Sequence, residues 1–174
     1  WYQRENNGKW KQIYTRLGEA PSDRFGFSVA ISGNYAIIGA YSNDEGGGVA
    51  GKAYWYQREK NGKWKQVHTE IGEAELDFFG YSVTISGNYA IVGAATASEG
   101  GPIAGKAYWY QRESNGKWKQ IYTRLGETAN DNYGFSVAIS GNYAIVGAGG
   151  NDDGGSSAGK AYWYQREKNG KWKQ

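Results

Sequence analysis

Apolar and polar positions alternate with a period of two along most of this chain, and tight-turn residues interrupt the alternation at regular places. Phe25–Ile31 reads as a strand, Ser32-Gly33-Asn34 as a turn, and Tyr35–Ala40 as a second strand. Gly-Asn beside alternating apolar residues is a hairpin signal, because both residues tolerate positive φ. A glycine-rich loop from Tyr41 to Gly51 follows. In a third strand, Lys52–Glu59, Ala53, Trp55 and Gln57 face one way and Tyr54, Tyr56 and Arg58 the other. Asn61-Gly62-Lys63 forms a second tight turn, and Trp64–Ile71 is a fourth strand. No stretch keeps helical periodicity over about ten residues, and none is long and apolar enough to span a bilayer.

The pattern recurs every 54 residues: Phe25–Ala40 returns as Phe79–Ala94 and as Tyr133–Ala148. Trp1-Tyr2-Gln3-Arg4-Glu5 returns unchanged at Trp55, Trp109 and Trp163, and Asn7–Gln12 at Asn61, Asn115 and Asn169. Trp163–Gln174 repeats Trp1–Gln12 with one change, Asn6 to Lys168. The chain is an array, and such periods mark solenoids, propellers or related repeats. It divides into a partial unit, 1–24, and units at 25–78, 79–132 and 133–174.

Four short antiparallel strands per unit predict all-β propeller blades, about three and a half per chain. Small and branched residues on the first two strands suit a crowded axis. The Trp, Tyr and Lys of the outer two suit wide strands whose rings fill the space between blades. A β-trefoil, which also has three repeats of four strands, is the rival architecture; a flat solenoid fits less well. An open fan exposes two edges that invite pairing, so the expected partner is the chain itself, in a homo-oligomer or a longer array.

Composition supports the class: 8 Trp, 15 Tyr, 5 Phe and 28 Gly, with mean hydropathy −0.75. Twenty basic and 17 acidic side chains are too balanced to indicate nucleic acid. The absence of Cys excludes disulfides and thiolate metal sites. No initiator Met or signal peptide is present, as fits a mature product, an excerpt or an engineered chain.

Asp23-Arg24-Phe25-Gly26-Phe27-Ser28-Val29 followed by Tyr35-Ala36-Ile37-Ile38-Gly39-Ala40 resembles the FG-GAP repeat. Gly51-Lys52-Ala53-Tyr54-Trp55-Tyr56 resembles the next strand of its bacterial form. The resemblance implies the propeller of integrin α subunits and of many secreted proteins, hence an extracellular location if the chain is natural. Such propellers usually have about seven blades. The family's acidic calcium loop, between first and second strands, is replaced here by Ser32-Gly33-Asn34, so calcium there is not implied.

The turns between first and second strands never vary, whereas the second-to-third loop and the connection to the next unit do. In an up-and-down blade these variable segments share one end, the face where a rigid scaffold carries binding loops. Candidate ligand residues there are Asn43, Asp44 and Glu45, Ser98 and Glu99, and Asn151, Asp152 and Asp153. Carbohydrate or a protein partner is the expected ligand class. Solvated loop carboxylates are the simpler reading; the acidic runs suit a hard cation such as Ca²⁺ only weakly, because the middle copy is poorer in oxygens. Asp23, Asp77 and Asp131 read as turn caps, and Glu19, Glu73 and Glu127 as solvated or paired with Arg16 or Arg124. His68, the single histidine, replaces Tyr14 and Tyr122. Without Cys or a second His, triads and histidine metal sites are unavailable. Near-identical repeats offer no unique catalytic constellation, so no enzyme and no cofactor are expected. Lys9-Trp10-Lys11 and its copies read as strands that bury Trp and keep Lys wet.

Overall fold

The hairpin turns dictate the local architecture. Gly33 takes φ +57° at the first of two turn residues, between Ser32 and its partner Tyr35. This is a type II′ turn, whose twist matches that of the strands. Only the glycine uses positive φ; Asn34 does not. In the second turn Gly62 takes φ +83°, and the Asn61 side chain accepts the Lys63 N–H at 2.8 Å.

A computed structural model describes residues Trp1–Gln174. All regular structure is β, in four antiparallel sheets. β1 (Tyr2–Arg4) and β2 (Trp10–Gln12) form a separate hairpin. The first full sheet is β3 (Ser28–Ser32), β4 (Tyr35–Ala40), β5 (Lys52–Arg58) and β6 (Trp64–Ile71). The second is β7 (Phe79–Ser86), β8 (Tyr89–Ala94), β9 (Lys106–Arg112) and β10 (Trp118–Leu125). The third is β11 (Tyr133–Ser140), β12 (Tyr143–Ala148), β13 (Lys160–Arg166) and β14 (Trp172–Lys173). Strands follow chain order within each sheet. The full sheets pack face to face through their first strands, β3 on β7 and β7 on β11. This is propeller blade packing, left open rather than closed, and it disposes of the trefoil.

The core lies between sheets. Ile37, Ala53 and Trp55 of the first sheet pack on Val83, Ile85, Tyr110 and Trp118 of the second. Ile91, Ala107 and Trp109 meet Val146, Tyr164 and Trp172 of the third. Aromatic residues therefore fill each seam from both sides, with Trp55 against Tyr110 at 5.0 Å and Trp109 against Tyr164 at 5.2 Å between ring centroids. Nearer the axis the backbones touch: a Cβ on Gly39 would stand 1.9 Å from the Gly80 carbonyl oxygen, and one on Gly93 equally close to that of Gly134. Serine hydroxyls tie the same strands, Ser28 accepting the Val83 N–H at 2.9 Å and Ser32 that of Gly87 at 3.1 Å.

Three strand boundaries differ from the sequence reading, the first strand closing at Ser32 rather than Ile31. The first strand was expected from Phe25, but β3 begins at Ser28, whereas β7 and β11 begin at Phe79 and Tyr133. The extra residues are held from outside the sheet. Phe79 pairs with Gly51 and donates its N–H to Ala50 at 2.9 Å, Tyr133 does the same with Gly105 and Ala104, and Phe25 makes no such bond. The third strand ends at Arg58, because the Glu59 N–H already serves the turn by bonding Lys63.

Candidate functional site

The long loops gather at one end of the sheets. The Leu76 N–H donates to the Gly48 carbonyl at 2.9 Å, joining the inter-sheet connection to the loop between second and third strands. Non-glycine residues with positive φ fall only in these long loops and at matching positions: Ser22, Leu76 and Asn130; Arg24, Phe78 and Asn132; Val49, Ile103 and Ser157. For β-branched Val49 and Ile103 this backbone is strained.

A lysine anchors each loop pair, buried at Lys52 and Lys106 and partly exposed at Lys160. Lys52 reaches Glu19 at 2.8 Å and also Glu45, Lys106 reaches Glu73 at 2.6 Å and also Glu99, and Lys160 holds Glu127 and Asp153 at 2.7 Å each. Each ammonium also lies about 5 Å from a tyrosine ring, those of Tyr54, Tyr108 and Tyr162. Burial alone would depress Lys52 and Lys106, but hydrogen bonds to their carboxylates outweigh it and raise both above the ordinary lysine value. The Lys52 hydrogen bond likewise holds Glu19 below the usual carboxylate range. The glutamates at this position are thus lysine-paired; the expected arginine partner survives only as Arg124 to Glu127 at 3.5 Å. Sequence reasoning passed over the three lysines. Their trace was an invariant Lys with an acid seven residues earlier in every repeat.

The sequence-predicted residues all lie on this loop rim. Glu45, Glu99 and Asp153 are the lysine-bound acids. Asn43 is buried and its side chain accepts the Glu45 N–H at 3.2 Å. Asn151 is buried too, accepting the Asp153 N–H at 3.1 Å and donating to Asp131 at 2.9 Å. Ser98 accepts the Ile103 N–H at 3.3 Å. Asp44 is exposed, and Asp152 accepts the Ser157 N–H at 2.6 Å. Asp23, Asp77 and Asp131 are caps, accepting the N–H groups of Ala20, Ala74 and Thr128 at 2.9–3.0 Å. His68 packs on Trp55 at 4.9 Å and its Nε2 lies 3.1 Å from Glu70.

Beside the rim, Phe27, Tyr81 and Phe135 form a ladder of rings, 5.1 Å and 5.2 Å apart, with Tyr41 4.5 Å from Phe27. Phe27 and Phe135 are half exposed.

Two further grooves, each about 390 Å³, mark the open faces. One lies before the first sheet, lined by Trp1, Tyr2, Val29, Ile31 and Ile38; the other lies beyond the third, at Tyr143, Trp163 and Lys173.

Three segments, residues 18–56, 72–110 and 126–164, match the FG-GAP repeat and together cover about two thirds of the chain. The chain belongs to the FG-GAP repeat family. Each FG-GAP match runs from a long loop into the third strand, so the family unit contains the lysine, both of its carboxylates and the capping aspartate, and omits the fourth strand. A search of curated proteins gave no match. No helix is long and apolar enough to cross a membrane.

Proposed function

We propose that this FG-GAP chain is a non-catalytic structural module, two copies of which close a six-bladed propeller. One observation carries the reading: its two open faces are the unmated halves of a seam the chain makes twice internally. Trp163 is 65% exposed where Trp55 and Trp109 are 0%, and Ile145 is 39% exposed where Ile37 and Ile91 are 0%. At the other end Val29 and Ile31 are 64% and 61% exposed, against 6% and 5% for Val83 and Ile85. Arg112 lies 4.3 Å over Tyr35, and Arg166 over Tyr89, across the internal seams, which leaves Tyr143 to receive Arg58 of a second copy.

Each chain supplies three full sheets, and propellers close with about four to eight. For the 174-residue polypeptide taken by itself, two copies make the one multiple of three in that range. A head-to-tail contact repeated twice then closes on itself, leaving no edge to pair further. FG-GAP repeats are typical of extracellular proteins, and we place this module there. Its near-identical blades fit a natural array or a designed scaffold.

Sedimentation velocity tests the reading. The chain should run as a dimer and Gly147→Ala as a folded monomer; a folded, monomeric parent chain overturns it. The ring ladder of Phe27, Tyr81 and Phe135 supports a second reading, in which the loop rim, with exposed Asp44, binds carbohydrate or a protein partner. Sugars bind by stacking on such rings. Saturable binding on a glycan array, lost in Phe27→Ala, is the expected result; no binding to any glycan removes the sugar.

A further inference from the structure

We infer that the end of the sheets formed by the tight turns, opposite the loop rim, is a binding face for a linear sulfated polysaccharide, held by lysines that have no acidic partner within the chain. The total of 20 basic and 17 acidic side chains conceals a separation by end. At the turn end the first full sheet carries Arg58, Lys60, Lys63 and Lys65 against Glu59 alone, and the second carries Arg112, Lys117 and Lys119 against Glu113 alone. At the loop end of the first repeat the balance reverses: Lys52 stands among Asp44, Glu45, Glu70, Glu73, Glu75 and Asp77. The separation is built into each repeat, so it holds whether or not copies assemble.

The strand pattern produces this face. In Lys63-Trp64-Lys65 and Lys117-Trp118-Lys119 the tryptophan turns into the packing between sheets, 6% and 5% exposed, and alternation sends both lysines outward, where they are exposed. Every ion pair of the chain draws its cation from Lys52, His68, Lys106, Arg124 or Lys160, none of which lies at the turn end. The Asn61 and Asn115 side chains accept the Lys63 and Lys117 N–H groups at 2.8 Å, and the Glu59 and Glu113 N–H groups donate to the Lys63 and Lys117 carbonyls at 2.8 Å. The lysine backbones are therefore fixed before a ligand arrives, which lowers the cost of ordering them. Like charges on a fixed frame repel one another, and a polyanion relieves that repulsion while releasing its own counterions.

The same face narrows the ligand. Arg58 donates to Gln3 at 3.3 Å, and Arg112 donates to Asn88 while lying over Tyr35, so the guanidinium forks that would grip phosphate are taken. Trp64 and Trp118 are buried, so nucleic-acid bases find no ring to stack on. The turn tips, Ser-Gly-Asn and Asn-Gly-Lys, carry no apolar side chain to enter a bilayer. What remains is a set of lysine point charges, which suits sulfates strung along a sugar chain. The acidic loop end turns such a chain away, so binding occurs at one end only.

Calorimetric titration of the full chain with heparin, over a salt series upward from about 0.1 M, tests the inference. Heparin should bind, and its affinity should fall as salt rises. Lys63→Gln combined with Lys117→Gln should reduce the slope of log affinity on log salt by about two. Lys65→Gln combined with Lys119→Gln, on the same two strands, should do the same. Glu75→Lys moves the net charge by as much in the opposite sense, but at the loop end. Strands of six to eight residues part the two ends, about 20 Å or more against a screening length of about 10 Å. Glu75→Lys should therefore leave the heparin affinity within about twofold. A strengthening by Glu75→Lys equal to the weakening by the lysine pairs means that net charge alone drives binding, and overturns the assigned face. Absence of heparin binding overturns the inference, as does tighter binding to single-stranded DNA or to phosphatidylserine vesicles than to heparin.

Discussion

Asp77 and Asp131 occupy the same turn in successive repeats yet face opposite balances. Burial lifts Asp77 above the usual carboxylate range because a single backbone N–H, from Ala74, answers its charge. Asp131 is also opposed by burial, but N–H groups of Glu127 and Thr128, the Thr128 hydroxyl and the Asn151 amide hold it below that range. Asp131→Ala should accordingly cost about 2–3 kcal/mol in urea unfolding, and Asp77→Ala less, since each lost bond to a charged group weighs more than its neutral counterpart. The pH dependence follows from the same kind of accounting. Glu19, lowered by Lys52, stabilises fully above the unfolded glutamate value of about 4.3, and that contribution is lost as pH falls through its folded value. Lys52 and Lys106, raised, stabilise below about pH 10.4 and lose that contribution as pH rises through their folded values. Burial also raises the phenols of Tyr54, Tyr108 and Tyr133, and pushes Tyr162 up to about 12, so the unfolded chain ionises first. Stability should hold through neutral pH and drop above about pH 10. The phenolate absorbance should rise with unfolding rather than before it; an early rise from these tyrosines contradicts the burial assigned to them.

Strands pack here by backbone approach as much as by side chains, and that is where mutation should bite. Gly93→Ala drives a Cβ into the Gly134 carbonyl, which cannot swing away, and should cost about 2–3 kcal/mol. Gly147→Ala is the informative contrast. Its Cβ meets only Ser136 of the same sheet, so the chain should fold while losing assembly, measured by denaturation and by sedimentation. Trp109→Ala should cost about 3–5 kcal/mol, and Trp163→Ala less than about 0.5 kcal/mol in the separated chain. The period of two and the glycine turns made the second, third and fourth strands legible in the sequence to within a residue. The start of the first strand was read correctly at Phe79 and Tyr133 but not at Phe25, because Phe79 and Tyr133 are held by Gly51 and Gly105 of the preceding repeat, contacts no local pattern encodes. The loop rim was legible as a place. The lysines that hold it were hidden, because Lys52 lies 33 residues from Glu19 and a nearer arginine offered a simpler partner.

Two copies joined head to tail, as proposed, would turn three stacked sheets into a closed object and cover Trp163 and Val29, exposed at opposite ends of the single chain. Stability should then depend on concentration, because binding of the second copy favours the folded state by mass action. The thermal midpoint should climb as the chain is concentrated and stop climbing in Gly147→Ala. Native mass spectrometry of the 174-residue polypeptide asks the question most directly. Two-copy closure predicts one species of 38.4 kDa, twice the 19.2 kDa of the single chain. A particle of 19.2 kDa that keeps its fold would contradict the account, as would an open ladder of ever larger multiples.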